Sequence, residues 1–323
     1  MSTEATPRIS PPETMTAARV HQFGGPSAIA LERIPVPTPG RGEVLVEVEA
    51  AGVGPWDAWI RAGKSVLPQP LPLTLGSDLS GVVAGVGPGV TAFAIGDPVF
   101  GVTNPSFTGA YAEYALAAEG MLAPKPSSLT DAQAASVPVV AVTAWQALFD
   151  EAHLSSGARV LIHGAAGNVG AYAVQLARAA GLHTTATVRG RDADYVRSLG
   201  ADVVIDVQSE RFEEHAKDID AVLDLVGADV QERSYGVMKP GAILVSAVAE
   251  PDQTAAARHG VKACFFLVEV TTHRLERIAT RIDSGELRTR VGLVLPLGAA
   301  REAHEMLDGL RPRPGGKIVL QIG

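Results

Sequence analysis

The sequence predicts an α/β chain that joins a β-rich part to a doubly wound parallel sheet. Residues 43–53, "EVLVEVEAAGV", begin with alternating apolar and charged side chains, the period-2 pattern of a half-buried strand. Residues 79–102, "LSGVVAGVGPGVTAFAIGDPVFGV", set valines between closely spaced Gly and Pro, as in short strands joined by sharp turns. From Arg159 onward, short apolar runs alternate with amphipathic or capped segments, which is how βαβ units and a parallel sheet read.

Bulk properties set limits on the function. The 323 residues suffice for about two domains. A hydrophobic content of 46% with 19% charged residues describes an ordinary globular chain. The net charge of −8 argues against a general affinity for nucleic acid or anionic lipid. The single cysteine, Cys264, forms no internal disulfide and excludes a zinc site built from several thiolates. The opening "MSTEATPRISPPET" lacks the apolar core of a signal peptide, and no run reaches the roughly 18 apolar residues of a spanning helix, so a soluble cytoplasmic protein is expected.

Taken in order, residues 1–14 are rich in Pro, Ser and Thr and are expected to form a flexible tail. The β-like texture runs from Thr16 to about Pro126, and the sequence turns helical between Asp131 and Leu148. Strands are expected at 159–164, 183–188, 201–207, 220–227, 241–248 and 263–270. A charged helix, "HRLERIATRIDSGEL", then leads to "LVLPLGAAREAHEMLDGL" and a last strand in "GKIVLQIG". That closing piece is too short to be a domain alone. The expected division is therefore 15–137 with 271–323 as one domain and 138–270 as the other.

Between the first two of those strands lies Gly164-Ala165-Ala166-Gly167-Asn168-Val169-Gly170. In a Rossmann fingerprint one glycine makes the turn, the next lets the backbone approach a pyrophosphate, and the third permits close helix–strand packing. Here Ala165 fills the first slot and Gly167 and Gly170 the others. The helix start beyond offers free N–H groups and partial positive charge, which suit a diphosphate. Residues Ala165 to Gly170 are thus the candidate phosphate cradle. The end of the second strand decides which dinucleotide fits. "TVRGRDAD" brings Arg189 and Arg191 before Asp192, and guanidinium groups suit a 2′-phosphate, so NADPH is expected. Two solvated surface arginines are the competing reading.

Several long segments, in order, resemble one family. They are "GEVLVEVEAAGVGPWDAWIRAG" (42–63), "LGSDLSGVVAGVGPGVTAFAIGDPVFG" (75–101), "GAYAEYA" (109–115), "VPVVAVTAWQALFDEAHLSSGARVLIHGAAGNVG" (137–170) and "GKIVL" (316–320). Together they resemble the medium-chain dehydrogenases/reductases, and within them the zinc-independent quinone oxidoreductase branch. The resemblance implies a GroES-like catalytic domain interrupted by a Rossmann domain, with the active site in the cleft between them. It implies that Thr143 faces the cofactor. It also implies that Val226, Gly227, Ser246, Ala247 and Val248 meet the nicotinamide half, and that the backbone of Phe265, Phe266 and Leu267 holds the carboxamide. Ordinary burial competes for the phenylalanines, and a surface position competes for Lys317, which follows the family's terminal Gly-Lys. A homodimer joined through the edge strand 263–270 is also implied.

The chain departs from its relatives at the metal positions. Gly54 stands where zinc-dependent members carry cysteine, and Gly76-Ser77-Asp78 replaces their Gly-His-Glu. No catalytic metal is expected. It also departs from the zinc-free pattern Val-Asn-Pro-x-Asp, since Val53-Gly54-Pro55-Trp56-Asp57 lacks the amide. Gly54 and Trp56 are the candidate substrate-pocket residues, Trp56 as an apolar wall; for Trp56 and Trp59 simple packing is the alternative. Asp57 is expected to fix local backbone, and His163, Tyr111 and Tyr114 read as structural. The expected activity is NADPH-dependent hydride transfer to a quinone or α,β-unsaturated carbonyl, with no catalytic acid identified. The alternatives are an enoyl-thioester reductase and a low-turnover NADPH-binding redox sensor.

Overall fold

The computed structural model describes residues 11–323 apart from Pro68. Along the chain the strands are β1 (Thr14–Val20), β2 (Ala30–Pro35), β3 (Glu43–Val53), β4 (Leu73–Thr74), β5 (Asp78–Val86), β6 (Pro98–Val102), β7 (Tyr114–Ala118) and β8 (Leu122–Pro124). There follow β9 (Arg159–His163), β10 (His183–Val188), β11 (Val203–Asp206), β12 (Ile219–Asp224), β13 (Met238–Ser246) and β14 (Lys262–Phe265). The last two are β15 (Val291–Pro296) and β16 (Lys317–Gln321). The chain divides into two compact units: one takes residues up to 125, 129–136 and 291–323, the other 126–128 and 137–290.

In the first unit β3 is the hub. Its alternation buries Val44, Val46 and Val48, and it pairs antiparallel with β5 along most of its length. The register with β5 shifts between Leu45 and Val46 and again between Val48 and Ala50, bulges that bend the strand. β7 pairs with Glu43–Glu47 and β16 with Ala50–Val53. The core gathers Leu75, Leu79, Val83, Leu122, Ile318 and Leu320. Of the expected tail 1–14, residues 1–10 lie outside the described residues, and Thr14 already belongs to β1.

The second unit holds a six-stranded sheet in the order β11-β10-β9-β12-β13-β14, with every pair parallel. Leu161, Ile205, Val222 and Leu244 bury one face, and the alternate residues Val160, Ile162, Leu223 and Val245 are buried too. Both faces are thus covered, as a doubly wound sheet requires.

Several boundaries differ from the sequence reading. The strands expected at 201–207, 220–227 and 241–248 run Val203–Asp206, Ile219–Asp224 and Met238–Ser246, so Val226, Gly227, Ala247 and Val248 lie in the loops that follow them. Strand β14 ends at Phe265 rather than running to 270. Gln146 captures the continuation instead: its Nε2 donates to Leu267 O at 3.4 Å, and its Oε1 accepts from Glu269 N–H at 2.9 Å. The segment 271–290, expected with the first unit, belongs to the second. The helix Thr272–Asp283 buries Leu275, Ile278 and Ile282 there, and Asp283 accepts hydrogen bonds from the backbone N–H groups of Ser127 and Ser128. The helix expected over 131–148 is broken into Asp131–Ala135 and Pro138–Trp145, continued as a π-helix over Gln146–Glu151. Pro138 has no N–H to continue the hydrogen-bond ladder of the first piece and opens the second as its first residue.

Candidate functional site

In the second unit β9 runs into the glycine turn. Gly164 has a φ of +73°, in the left-handed region that favours glycine. Ala165 N–H donates to Thr187 O at 3.1 Å and Gly167 N–H to Gly164 O at 3.0 Å, which closes the turn. The following helix, Asn168–Ala179, makes its first bond from Ala171 N–H to Gly167 O. The amides of Asn168, Val169 and Gly170 are the unpaired donors of its N-terminus. A Cβ on Gly170 would fall 2.4 Å from Gly164 O and 2.6 Å from Ala165 Cα, so the helix sits flush on the turn only because position 170 has no side chain. On Gly167 a Cβ would meet Gly164 O at 3.2 Å.

Around the turn the structure brings together the segments expected at the carboxyl edge of the sheet. Val226 Cγ2 lies 3.2 Å from where a Cβ on Gly164 would stand, and Val248 Cγ2 3.4 Å from the same point on Gly227. Asp224, a residue the sequence did not single out, organises them. Its carboxylate accepts from Val226 N–H and Gly227 N–H at 2.9 and 2.8 Å, from Gln231 Nε2 at 2.8 Å and from Ser246 Oγ at 3.0 Å. Ser246 Oγ in turn accepts from the amides of Val248 and Ala249, and Ala247 N–H donates to Asp224 O. Phe266 N–H donates to Ser246 O, which ties Phe265–Leu267 to the same edge. Phe266 is buried, Phe265 half-buried, and Val226, Val248 and Leu267 expose apolar surface. Thr143 is buried, with its hydroxyl donating to Val139 O at 2.7 Å.

Arg189 and Arg191 follow β10 and are exposed. Arg191 lies 3.6 Å from the Asp192 carboxylate, whereas Arg189 has no ion-pair partner among the described residues. Asp206 packs its carboxylate against Gly190, where a Cβ would stand 2.4 Å from Oδ2. That carboxylate accepts from Gln208 N–H and Ser209 Oγ. Sequence spacing did not reveal it, because Asp206 closes the neighbouring strand.

In the first unit the segment Gly54–Asp57 opens the helix Pro55–Arg61. Asp57 Oδ2 accepts from Gly54 N–H at 2.8 Å and from Tyr111 Oη at 3.1 Å. Both side chains are fully buried, so Asp57 fixes backbone, as its position predicts. Burial pushes its carboxyl up to about 7 against the lowering effect of the Gly54 N–H and Lys317, and burial with the Asp57 carboxylate holds the Tyr111 phenol well above its ordinary range. Trp56 Nε1 donates to Ser77 Oγ at 3.0 Å, and Lys317 Nζ sits 4.2 Å over the indole. Lys317 is buried, not at the surface, and meets Asp78 Oδ2 at 2.8 Å.

The glycine at 54 now has a physical reason. A Cβ there would lie 2.2–2.4 Å from three carbons of the Trp56 ring. An asparagine cannot stand at 54 while the indole lies where it does; Gly54 and Trp56 come as a pair. Gly54→Ala is expected to push the indole off Ser77 and destabilise by about 1–3 kcal/mol. In a Trp56→Ala background the same change should cost far less. Urea denaturation of the four proteins in the cycle measures the difference, and equal costs in both backgrounds would contradict the pairing.

Titration gives a further test. His163, beside the glycine turn, is fully enclosed: its Nδ1 lies 3.0 Å from Thr187 Oγ1 and its Nε2 2.9 Å from Ser234 Oγ. Ser234 Oγ already donates to Val230 O, so it accepts from Nε2–H, and burial keeps the ring neutral. Burial pushes His163 down to about 4, and burial with Arg61 pushes His304 down to about 3. Each lowered histidine binds a proton in the unfolded chain first, so stability falls as pH drops below 6.5, by about 1.4 kcal/mol per pH unit per group. Asp57, raised to about 7, acts the other way, holding its proton in the folded state while the unfolded carboxyl loses it. From pH 6.5 to 4.5, Asp57→Asn should steepen the acid loss seen in urea midpoints, and His163→Asn should flatten it.

The sheet order, the glycine turn and the hub strand coincide with what the chain resembles. It matches the family model described as alcohol dehydrogenase GroES-like domain over residues 40–127, and that described as zinc-binding dehydrogenase over 199–320. It is 32% identical to the quinone oxidoreductase of Sus scrofa over 324 residues, covering 95% of this chain and 98% of that one. The chain belongs to the quinone oxidoreductase branch of the medium-chain dehydrogenases/reductases. Among solved structures, the quinone oxidoreductase of Coxiella burnetii superposes with a TM-score of 0.88 at 32% identity, over 96% of this chain and 100% of that one. A mycobacterial protein solved in complex with NADPH gives 0.84 at 31% identity, over 95% and 99%. This oxidoreductase therefore carries a GroES-like part and a Rossmann-type sheet. Among its described residues no helix is long and apolar enough to cross a membrane.

Proposed function

We propose that this oxidoreductase uses NADPH, without a catalytic metal, to reduce quinones or α,β-unsaturated carbonyl compounds. The observation that carries the proposal is the cradle at Gly164–Gly170, where a side chain on Gly170 would strike backbone and the amides of Asn168, Val169 and Gly170 are left to donate. These donors and the N-terminal end of the helix dipole suit a diphosphate. Arg189, with Arg191 beside it, supplies guanidinium donors for a 2′-phosphate. The loops fixed by Asp224 and Ser246 would hold the nicotinamide half, with Val226, Val248 and Leu267 as its apolar surroundings.

When bound, the dihydronicotinamide supplies a hydride. A quinone or conjugated carbonyl accepts it without a Lewis acid because conjugation carries the negative charge to oxygen, which a proton from water then neutralises. Asp57 and Tyr111 are fully enclosed, and Asp57 Oδ2 accepts from both Gly54 N–H and Tyr111 Oη, so they hold the segment that presents Trp56. Asp57 Oδ1 is buried without a hydrogen-bond partner among the described residues. The donor set at the metal positions does not fit zinc. Gly54 offers no ligand, Ser77 Oγ takes the indole N–H, and Asp78 is bound to the Lys317 ammonium. The homodimer belongs to the same reading, with β14 as the edge strand that a second copy would extend.

Stopped-flow oxidation of NADPH by 1,4-naphthoquinone, a trans-2-enal and a crotonyl thioester tests the reading. Turnover with the first two and none with the thioester is expected. Preference for the thioester would favour an enoyl-thioester reductase, and tight NADPH binding without oxidation by any acceptor would favour a sensor.

A further inference from the structure

At the far end of the helix Asn168–Ala179 from the glycine turn, the second unit carries a cavity of about 560 Å³. Its lining includes Arg178, Arg288 and Arg290, and among the described residues none of these guanidinium groups meets a carboxylate. The one acid in the lining, Glu286, is engaged by Arg281 Nε at 3.0 Å. The three arginines are placed by other means. Arg178 lies across Gly200, where a Cβ would fall 2.2 Å from Arg178 Cδ. Arg290 stacks 4.3 Å over the Tyr195 ring. Gln175 clamps the backbone of Arg288, accepting from its N–H at 2.8 Å and donating to its O at 3.1 Å.

A cation at a helix C-terminus has a structural use, but that accounts for Arg178 alone, since Arg288 and Arg290 stand on no helix. In a chain of net charge −8, three unneutralised guanidinium groups around one concavity are an anion site in the making. Guanidinium forks match phosphate oxygens, and the volume falls within the roughly 300–1,000 Å³ of small-molecule sites. We propose that this cavity binds a phosphate ester carrying at least two negative charges, at a site separate from the glycine turn.

Calorimetric titration with inorganic pyrophosphate at low salt tests this, with variants to separate the two sites. The double variant Arg288→Gln/Arg290→Gln, and independently Arg178→Gln, should weaken binding by roughly tenfold or more. Arg189→Gln/Arg191→Gln should leave that binding component unchanged, and NADPH affinity should survive Arg288→Gln/Arg290→Gln. Unaltered melting temperatures confirm that the exposed substitutions leave the fold intact. The absence of saturable heat, heat that survives Arg288→Gln/Arg290→Gln, or heat lost only with Arg189 and Arg191 would each overturn the proposal. The last outcome would assign the anion to the glycine turn and leave the cofactor reading standing.

Discussion

Replacing Lys317 by methionine is expected to destabilise the first unit by about 3–5 kcal/mol. Lys317 and Asp78 have side chains 2% and 0% exposed, so the substitution takes the ammonium counter-charge from a carboxylate held away from water. The two residues come from β16 and β5, which both flank β3, and the ammonium also lies on the Trp56 ring. One bond therefore fixes the C-terminal strand and the indole together. Asp78→Leu alone should be comparably harmful, because it leaves a buried ammonium. The double variant Lys317→Met/Asp78→Leu should recover most of the loss, since two apolar side chains of similar bulk need no partner. Additive losses in urea denaturation would show that the pair is not what these residues contribute. The Asp57 carboxyl, held down in part by Lys317, should titrate higher in the single variant.

The second large effect lies at the glycine turn. Gly170→Ala sets a methyl group against the carbonyl of Gly164 and the Cα of Ala165, neither of which can swing aside. The helix must lift from the turn, at a cost of about 1–3 kcal/mol or more, and the amide cradle spreads with it. Gly167→Ala makes the informative contrast. Its backbone, at φ −72° and ψ 170°, is open to any residue, and the added Cβ meets a single carbonyl at 3.2 Å. Melting temperature should fall clearly for Gly170→Ala and little for Gly167→Ala, whereas dinucleotide affinity should fall for both. A Gly170→Ala protein of unchanged stability and affinity would refute the close-packing role.

The fold was legible where local pattern and tertiary role agree. The alternation at the start of 43–53 reflects a face that opens to solvent at Glu43, Glu47 and Glu49, and the fully buried Ala50–Val53 continue the strand to its expected end. The strands of the second unit were found by their apolar runs, and β10 spans the expected residues. Where long-range contacts decide, the reading stopped short. Residues 266–270 look like strand, but Gln146, more than a hundred positions earlier, takes their backbone bonds. The helix Thr272–Asp283 carries an apolar stripe that does not say which unit it faces.

The site divides the same way. The glycine turn is a local motif and was readable. The pairing of Gly54 with Trp56 was not, since spacing does not reveal that an indole folds back over the residue two before it. Lys317 and Asp78, 239 positions apart, gave no sequence signal of their union. Asp224 read as one more strand residue. Its role depends on Gln231 and Ser246 arriving from two other elements.

Isothermal titration of the purified protein with NADPH and NADH tests the cofactor cradle most directly. Saturable binding is predicted, with NADPH held roughly tenfold or more tighter than NADH and the preference abolished by Arg189→Ala/Arg191→Ala. Equal affinities before mutation, or no saturable heat with either nucleotide, would contradict it.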